Sequence, residues 1–130
     1  MAAKVGAMVW TGRVLSMLVS ALFLMSAVMK FTLGADVKKG MSDLGLPESL
    51  IVPLGILETI CVVIYLIPQT AILGAILLTG YLGGALCSHL RVGDPIIGPI
   101  IIGIVVWLGL FLREERLRQL IPFRRFPSQS

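Results

Sequence analysis

A carboxylate in the middle of an apolar segment is the residue of this sequence best placed to do chemistry. Glu58 is the one charged residue between positions 49 and 67 and lies at the midpoint of that stretch. A charged side chain at the centre of a bilayer costs about 2.5–3.5 kcal/mol or more unless it is paired, protonated or hydrated. Glu58 is therefore a candidate for binding a ligand or handling a proton. The alternative is a neutral acid whose hydrogen bonds hold neighbouring helices together.

Polar side chains that could accompany Glu58 occur in the neighbouring apolar segments. Tyr81 and His89 share one helical face, because residues four apart along a helix lie above one another, and by depth the Tyr81 hydroxyl approaches Glu58. His89, Arg91 and Lys30 are predicted nearer the outer membrane surface. We expect a polar cavity that opens outward, with all five residues as ligand-binding candidates. The alternatives are a solvated surface pair for His89 and Arg91, and a membrane anchor for Lys30.

Composition excludes most soluble functions. The chain is 57% hydrophobic and 14% charged, whereas soluble domains are about 45–50% apolar and about 25% charged. An ordinary soluble enzyme and a disordered chain are both excluded, and the lipid bilayer is the expected partner. The net charge of +4 does not indicate nucleic acid, because many basic residues directly follow the last apolar segment, where they set topology and contact anionic lipid. With one histidine, no metal site is predicted.

Four apolar segments must position these residues within a single domain, residues 1–130. Each segment is close to the length of about 17–25 residues that a membrane-spanning helix needs, and its apolar residues run continuously instead of alternating as in a strand. The predicted spans cover residues 14–30, 49–67, 70–90 and 95–112, followed by a basic cytoplasmic tail at 113–130.

The connections and charges predict the topology. Residues 31–48 form the one long loop, and the other two connections are short turns that make successive spans antiparallel. Four spans place both termini on one side, which carries the greater number of basic residues and is therefore cytoplasmic. Trp10, Tyr65 and Trp107 are predicted near this surface. The fold class is all-α: an integral membrane four-helix bundle, up-down-up-down, crossing the inner (cytoplasmic) membrane several times.

A run of small residues surrounds Tyr81. The sequence Gly80-Tyr81-Leu82-Gly83-Gly84-Ala85 falls in the middle of the third span. Small residues at helical spacing let two helix backbones approach closely, whereas a phosphate-binding glycine run must lie at the start of a helix. We therefore predict that this run packs against another helix.

Several motifs in chain order resemble a known family. They are the first span ending in Lys30, Leu44-Gly45-Leu46-Pro47, Gly55-Ile56-Leu57-Glu58, the Pro68 turn, the glycine run followed by His89, and the closing Trp107 and Leu112-Arg113. Their order and spacing resemble small membrane proteins of the DoxX-like family over nearly the whole chain. The resemblance implies a four-helix membrane bundle with Lys30, Glu58 and His89 as its polar positions. It also implies a link to membrane redox complexes, since the family's name comes from a subunit of a thiosulfate:quinone oxidoreductase.

Three functions are compatible with the sequence. The first is a small subunit that binds a quinone-like or other amphipathic molecule in an intramembrane polar pocket, with a membrane redox partner or as a homo-oligomer; a quinone is then the candidate cofactor. The second is a small proton-coupled transporter, although the four-span multidrug exporters carry their carboxylate in the first span rather than the second. The third is an assembly partner of another membrane protein. Whether the chain catalyses a reaction stays open.

Overall fold

The computed structural model describes residues 6–124, and this part of the chain is helical without any strand. Two short 3-10 helices, Glu48–Leu50 and Pro68–Thr70, lead into the third and fourth α-helices. Residues 125–130 of the predicted tail lie outside the described residues. In chain order the α-helices are α1 (Ala7–Thr32), α2 (Ala35–Asp43), α3 (Ile51–Leu66), α4 (Ala71–Val92), α5 (Ile97–Arg113) and α6 (Glu115–Arg118).

Three helical stretches in the described range are long and apolar enough to cross a membrane: Ala7–Thr32, Glu48–Leu66 and Pro68–Val92. The fourth predicted span corresponds to α5, which is apolar but has 17 residues, the lower end of the spanning range. The prediction of an all-α protein is confirmed for residues 6–124, with three helical stretches that are apolar and long enough to span a membrane. That α5 also crosses, and that both termini are cytoplasmic, stays a prediction.

The predicted long loop at 31–48 is wrong in part, because it contains helix α2. Gly34 and Gly45 flank this nine-residue helix. Asp36 in its first turn interacts favourably with the helix dipole. At the other end Gly45 adopts a φ of 73°, the left-handed conformation that often ends a helix. Among the α2 residues only Met41 is buried.

Helices α1, α3, α4 and α5 pack around a shared apolar core. Helix α1 lies against α3 and α5, and α4 lies against the same two helices from the opposite side. Three of the largest fully buried core side chains, Val62, Leu78 and Val106, come from α3, α4 and α5. Tyr65 belongs to this core instead of facing lipid at the predicted surface: it is fully buried and its hydroxyl donates to the Val106 carbonyl at 2.8 Å.

Glycines permit the closest approaches between helices, but these glycines are not the ones predicted from the sequence. A Cβ added at Gly12 would lie 2.6 Å from the Gly109 carbonyl oxygen, and one added at Gly74 would strike the Tyr65 backbone. In contrast, a Cβ added at Gly80, Gly83 or Gly84 meets no atom within 4 Å. The predicted packing role of the glycine run around Tyr81 is therefore wrong within this chain.

The chain bends sharply at the charged end of α5. Helix α5 ends at Arg113, and Glu114 is extended with φ −118° and ψ 105°. The single turn of α6 then buries Leu117 against the core. This break lets the chain fold back over the end of the bundle, since a straight continuation would carry Leu117 away from it.

Substitution of two glycines of α4 should have opposite effects. Gly74→Ala forces a methyl group into the Tyr65 backbone and should destabilise the protein by about 1–3 kcal/mol, as overpacking does. Gly83→Ala adds a methyl group in open space and should be neutral or stabilising by up to about 1 kcal/mol, because alanine favours the helix. Thermal unfolding of the detergent-purified protein measures both. Equal destabilisation by the two changes would contradict the α3–α4 contact described.

Candidate functional site

An ion pair buried between α1 and α3 forms the centre of the site. The Lys30 Nζ atom lies 2.8 Å from Glu58 Oε2, and the two side chains are 14% and 2% exposed. Lys30 is in the last turn of α1, where a cation interacts favourably with the helix dipole. The opposite charges at contact distance compensate each other, which lowers the cost of placing a carboxylate in the apolar segment.

Hydroxyl groups from two helices complete the hydrogen bonding around Glu58. The Tyr81 hydroxyl of α4 donates to Glu58 Oε2 at 3.3 Å, as its depth predicts. Ser26 of α1 accepts a hydrogen bond from Lys30 Nζ at 2.7 Å and donates to the same carboxylate oxygen at 3.4 Å. Sequence reasoning missed Ser26, although it lies four residues before Lys30 and therefore on the same helical face.

A cavity of about 370 Å³ adjoins this pair. Its volume falls within the range of about 300–1,000 Å³ typical of small-molecule sites. Lys30 and Tyr81 reach one part of its wall, while most of the remaining wall is apolar. The other lining residues are Met41, Leu44, Leu46, Leu50, Leu54, Leu57, Gly80, Gly84, Ala85 and Ser88. Gly80 and Gly84 lack side chains that would otherwise fill this volume. These two glycines of the run around Tyr81 therefore leave space for the cavity.

The structure unites three of the five predicted site residues and places the other two apart. Lys30, Glu58 and Tyr81 are connected by hydrogen bonds. Arg91 instead donates to the Leu44 carbonyl oxygen at 2.5 Å, and His89 Nδ1 lies 3.7 Å from an Asp94 carboxylate oxygen. Neither His89 nor Arg91 lines the cavity. The ligand-binding role of all five stays a prediction.

A second polar cluster lies towards the other end of the bundle. Tyr65 contacts Ser16 Oγ at 3.0 Å, and the Arg113 guanidinium lies 5.7 Å from the centre of the Tyr65 ring. Because Tyr65 also donates to the Val106 carbonyl, this cluster joins α1, α3 and α5. Its residues lie outside the lining of the cavity, so we assign it to packing.

Other reactive groups contribute little in the described residues. Within 6–124 no three His, Cys, Asp or Glu side chains are grouped so that they could hold a metal ion. Both cysteines are free thiols, with Cys61 buried and Cys87 exposed. The ion pair and its cavity are therefore the candidate site that the geometry favours.

The comparison with protein families gives one match. The sequence profile of the DoxX-like family matches residues 14–112. The chain belongs to the DoxX-like family. No curated protein and no solved structure matches it. The matched range of this DoxX-like protein includes Ser26, Lys30, Glu58 and Tyr81, so the whole hydrogen-bonded cluster lies within the family region.

The Lys30–Glu58 pair should show strong energetic coupling in a double-mutant cycle. Lys30→Met or Glu58→Gln alone leaves a buried polar group without its partner, a loss of up to about 3–5 kcal/mol in the free energy of unfolding. The double variant should lose less than the sum of the two, because neither charge remains. Denaturant or thermal unfolding in detergent measures the four proteins.

The exposed Lys38–Glu48 pair supplies the matched control. Its atoms are separated by 3.0 Å, but the side chains are 46% and 63% exposed, so Lys38→Met and Glu48→Gln should couple by at most about 1 kcal/mol. Additive effects at Lys30 and Glu58, equal to those of this control, would show that the buried pair does not stabilise the fold.

Proposed function

We propose that this DoxX-like protein is a four-span membrane subunit that binds an amphipathic small molecule, with a quinone as the favoured class. The observation that supports the proposal is the cavity of about 370 Å³ with Lys30 and Tyr81, both hydrogen-bonded to Glu58, on one part of its wall. Such a wall suits a ligand with a polar head and an apolar tail, because each part then meets its own kind of surface.

The hydrogen-bonding capacity of the cluster favours a head group that accepts hydrogen bonds. An ammonium group has three N–H donors, and in the structure Lys30 directs two of them to Ser26 and Glu58. The third can be donated to a carbonyl oxygen of a quinone, whose ring oxygens accept without donating. Glu58 is held by Lys30 and the Tyr81 hydroxyl at the same time, so the ligand can bind without separating the ion pair.

The apolar lining suits the ligand's tail. Leu46, Leu50, Leu54 and Leu57 contribute much of this surface. The cavity is at the lower end of the usual size range, so it suits a ring and the first part of a tail, with the remainder in the bilayer. Redox activity would then come from the bound quinone and a membrane partner protein, while Lys30 and its neighbours hold and orient the head group.

The ion pair argues against the alternative function, proton-coupled transport. A proton carrier requires a carboxylate that can change partners during transport, whereas Glu58 already accepts hydrogen bonds from Lys30 at 2.8 Å, from Ser26 and from Tyr81. Proton-driven flux of a substrate into vesicles, lost in Glu58→Gln, would favour the transporter over the binding subunit.

The four-span topology predicts that Ser42 and Gln119 lie on opposite sides of the membrane. In a Cys87→Ser background, Ser42→Cys should react with a membrane-impermeant maleimide added outside cells. Gln119→Cys should react only after the cells are permeabilised, because α5 crosses the bilayer between the two sites. Labelling of both thiols from the same side would disprove the four-span arrangement.

Loss of the Lys30 ammonium should weaken quinone binding. With decylubiquinone as the probe, Lys30→Met should raise the dissociation constant by about tenfold or more, since a hydrogen bond from a charged donor contributes about 1.5–3 kcal/mol. Fluorescence quenching of the protein in nanodiscs measures the binding. Lys38→Met, which removes an exposed lysine outside the cavity lining, should leave it unchanged. Equal affinities of wild type and Lys30→Met would contradict the proposed head-group contact.

A further inference from the structure

One wall of the cavity comes from a segment outside the four long helices. Met41 of α2 and residues Leu44, Leu46 and Leu50 after it line the cavity. The remaining lining residues belong to α1, α3 and α4. Helix α2 is otherwise polar, with the sequence ADVKKGMSD. The cavity is therefore closed on one side by a short polar segment that turns a few apolar side chains inward.

Few side-chain contacts attach this segment to the bundle. Met41 is its buried anchor, at 8% exposed. The ion pair between Lys38 and Glu48 joins two parts of the same segment, at 3.0 Å between exposed side chains. It therefore does not connect the segment to the long helices, and as an exposed pair it contributes little.

Arg91 makes the hydrogen bond that does connect the segment to a long helix. Its Nη2 atom donates to the Leu44 carbonyl oxygen at 2.5 Å, and Arg91 lies in the last turn of α4. The end of α2 is closed by a different bond, from the Leu46 amide to the Met41 carbonyl at 2.9 Å. The Leu44 carbonyl takes no part in that bond, so it is available to the guanidinium group.

Both ends of helix α2 have backbone suited to a hinge. Leu33, before α2, has a φ of 51°, and Gly45, after it, has a φ of 73°. A Cβ added at Gly34 would meet no atom within 4 Å, so this turn is not wedged against the bundle. Hinges are commonly a few residues at the ends of helices that absorb a change in φ and ψ. Rotation at these positions would move α2 with little repacking of the core.

We propose that residues 33–50 form a lid over the cavity and that the Arg91–Leu44 hydrogen bond is its latch. Arg91 is then a positioning residue, which acts through Leu44 instead of contacting the ligand. Breaking the bond releases Met41 from the cavity wall and opens a path to Lys30. What enters by this path rests on the proposed function, but the opening itself does not require any ligand.

A thiol inside the cavity measures the opening directly. Ser88 lines the cavity and is half-buried, and Ser88→Cys changes the size of the side chain little. The exposed Cys87 is replaced by serine, and the buried Cys61 is retained. The rate of N-ethylmaleimide labelling at each position is followed by mass spectrometry in native membranes. Arg91→Met should raise the rate at position 88 by about five- to tenfold, as expected for one lost hydrogen bond, and Arg91→Lys should give an intermediate rate because it keeps a charged donor.

Two controls make the result specific to the latch. Lys39→Met removes a positive charge from the exposed face of α2 without touching Leu44, and it should leave the rate unchanged. Cys61 should stay protected in every variant. An unchanged rate at position 88 in Arg91→Met would overturn the lid. A parallel rise at Cys61 would also overturn it, because Arg91 would then be holding the bundle together. Opening without any quinone binding would instead overturn the proposed function and retain the lid.

Discussion

The placement of one carboxylate in an apolar helix constrains the whole cavity end of the bundle. Glu58 is 1% exposed, so its charge requires a partner close enough to compensate the lost hydration. Lys30 supplies that partner because the end of α1 lies directly against α3. Gly55 permits this approach: a Cβ there would lie 3.1 Å from the Phe31 ring and 3.3 Å from the Lys30 Cβ. Gly55 thus allows α1 to approach α3 closely, three residues before Glu58, whose charge needs the lysine that this approach brings near.

Glycine has opposite uses at different places in the bundle. Gly12, Gly109 and Gly74 lie where helix backbones touch, and a side chain at any of them would collide with the neighbouring helix. Gly80 and Gly84 lie where helices leave a space, and the missing side chains become part of the cavity. Close packing of the first kind rigidifies the bundle around Tyr65. The second kind leaves room for a ligand next to the ion pair.

The depth of residues could be predicted from sequence, but their direction around each helix could not. Counting along the spans placed Tyr81 level with Glu58, and the hydrogen bond confirms that placement. The same counting placed Arg91 at the level of the cavity mouth, yet its side chain turns to the Leu44 carbonyl. The contact depends on the fold of residues 33–50, whose glycines mark the ends of a helix as readily as a loop. Whether a glycine faces a neighbouring backbone or an empty space depends on where the neighbouring helix lies. The residues around the glycine in the sequence do not determine this.

The ion pair also bears on which head groups the proposed ligand site would select. Glu58 is already bonded to Lys30, Ser26 and Tyr81, so an anionic ligand would have to compete with it for the ammonium group and would bring two negative charges together. Such like charges at close range are costly in an apolar site. A neutral acceptor requires only the remaining N–H of Lys30 and leaves the pair intact. If the cavity binds the proposed ligand, the arrangement that makes a buried carboxylate tolerable would therefore favour neutral carbonyl head groups over acids of similar size, a selectivity that a lone lysine in the same cavity would lack.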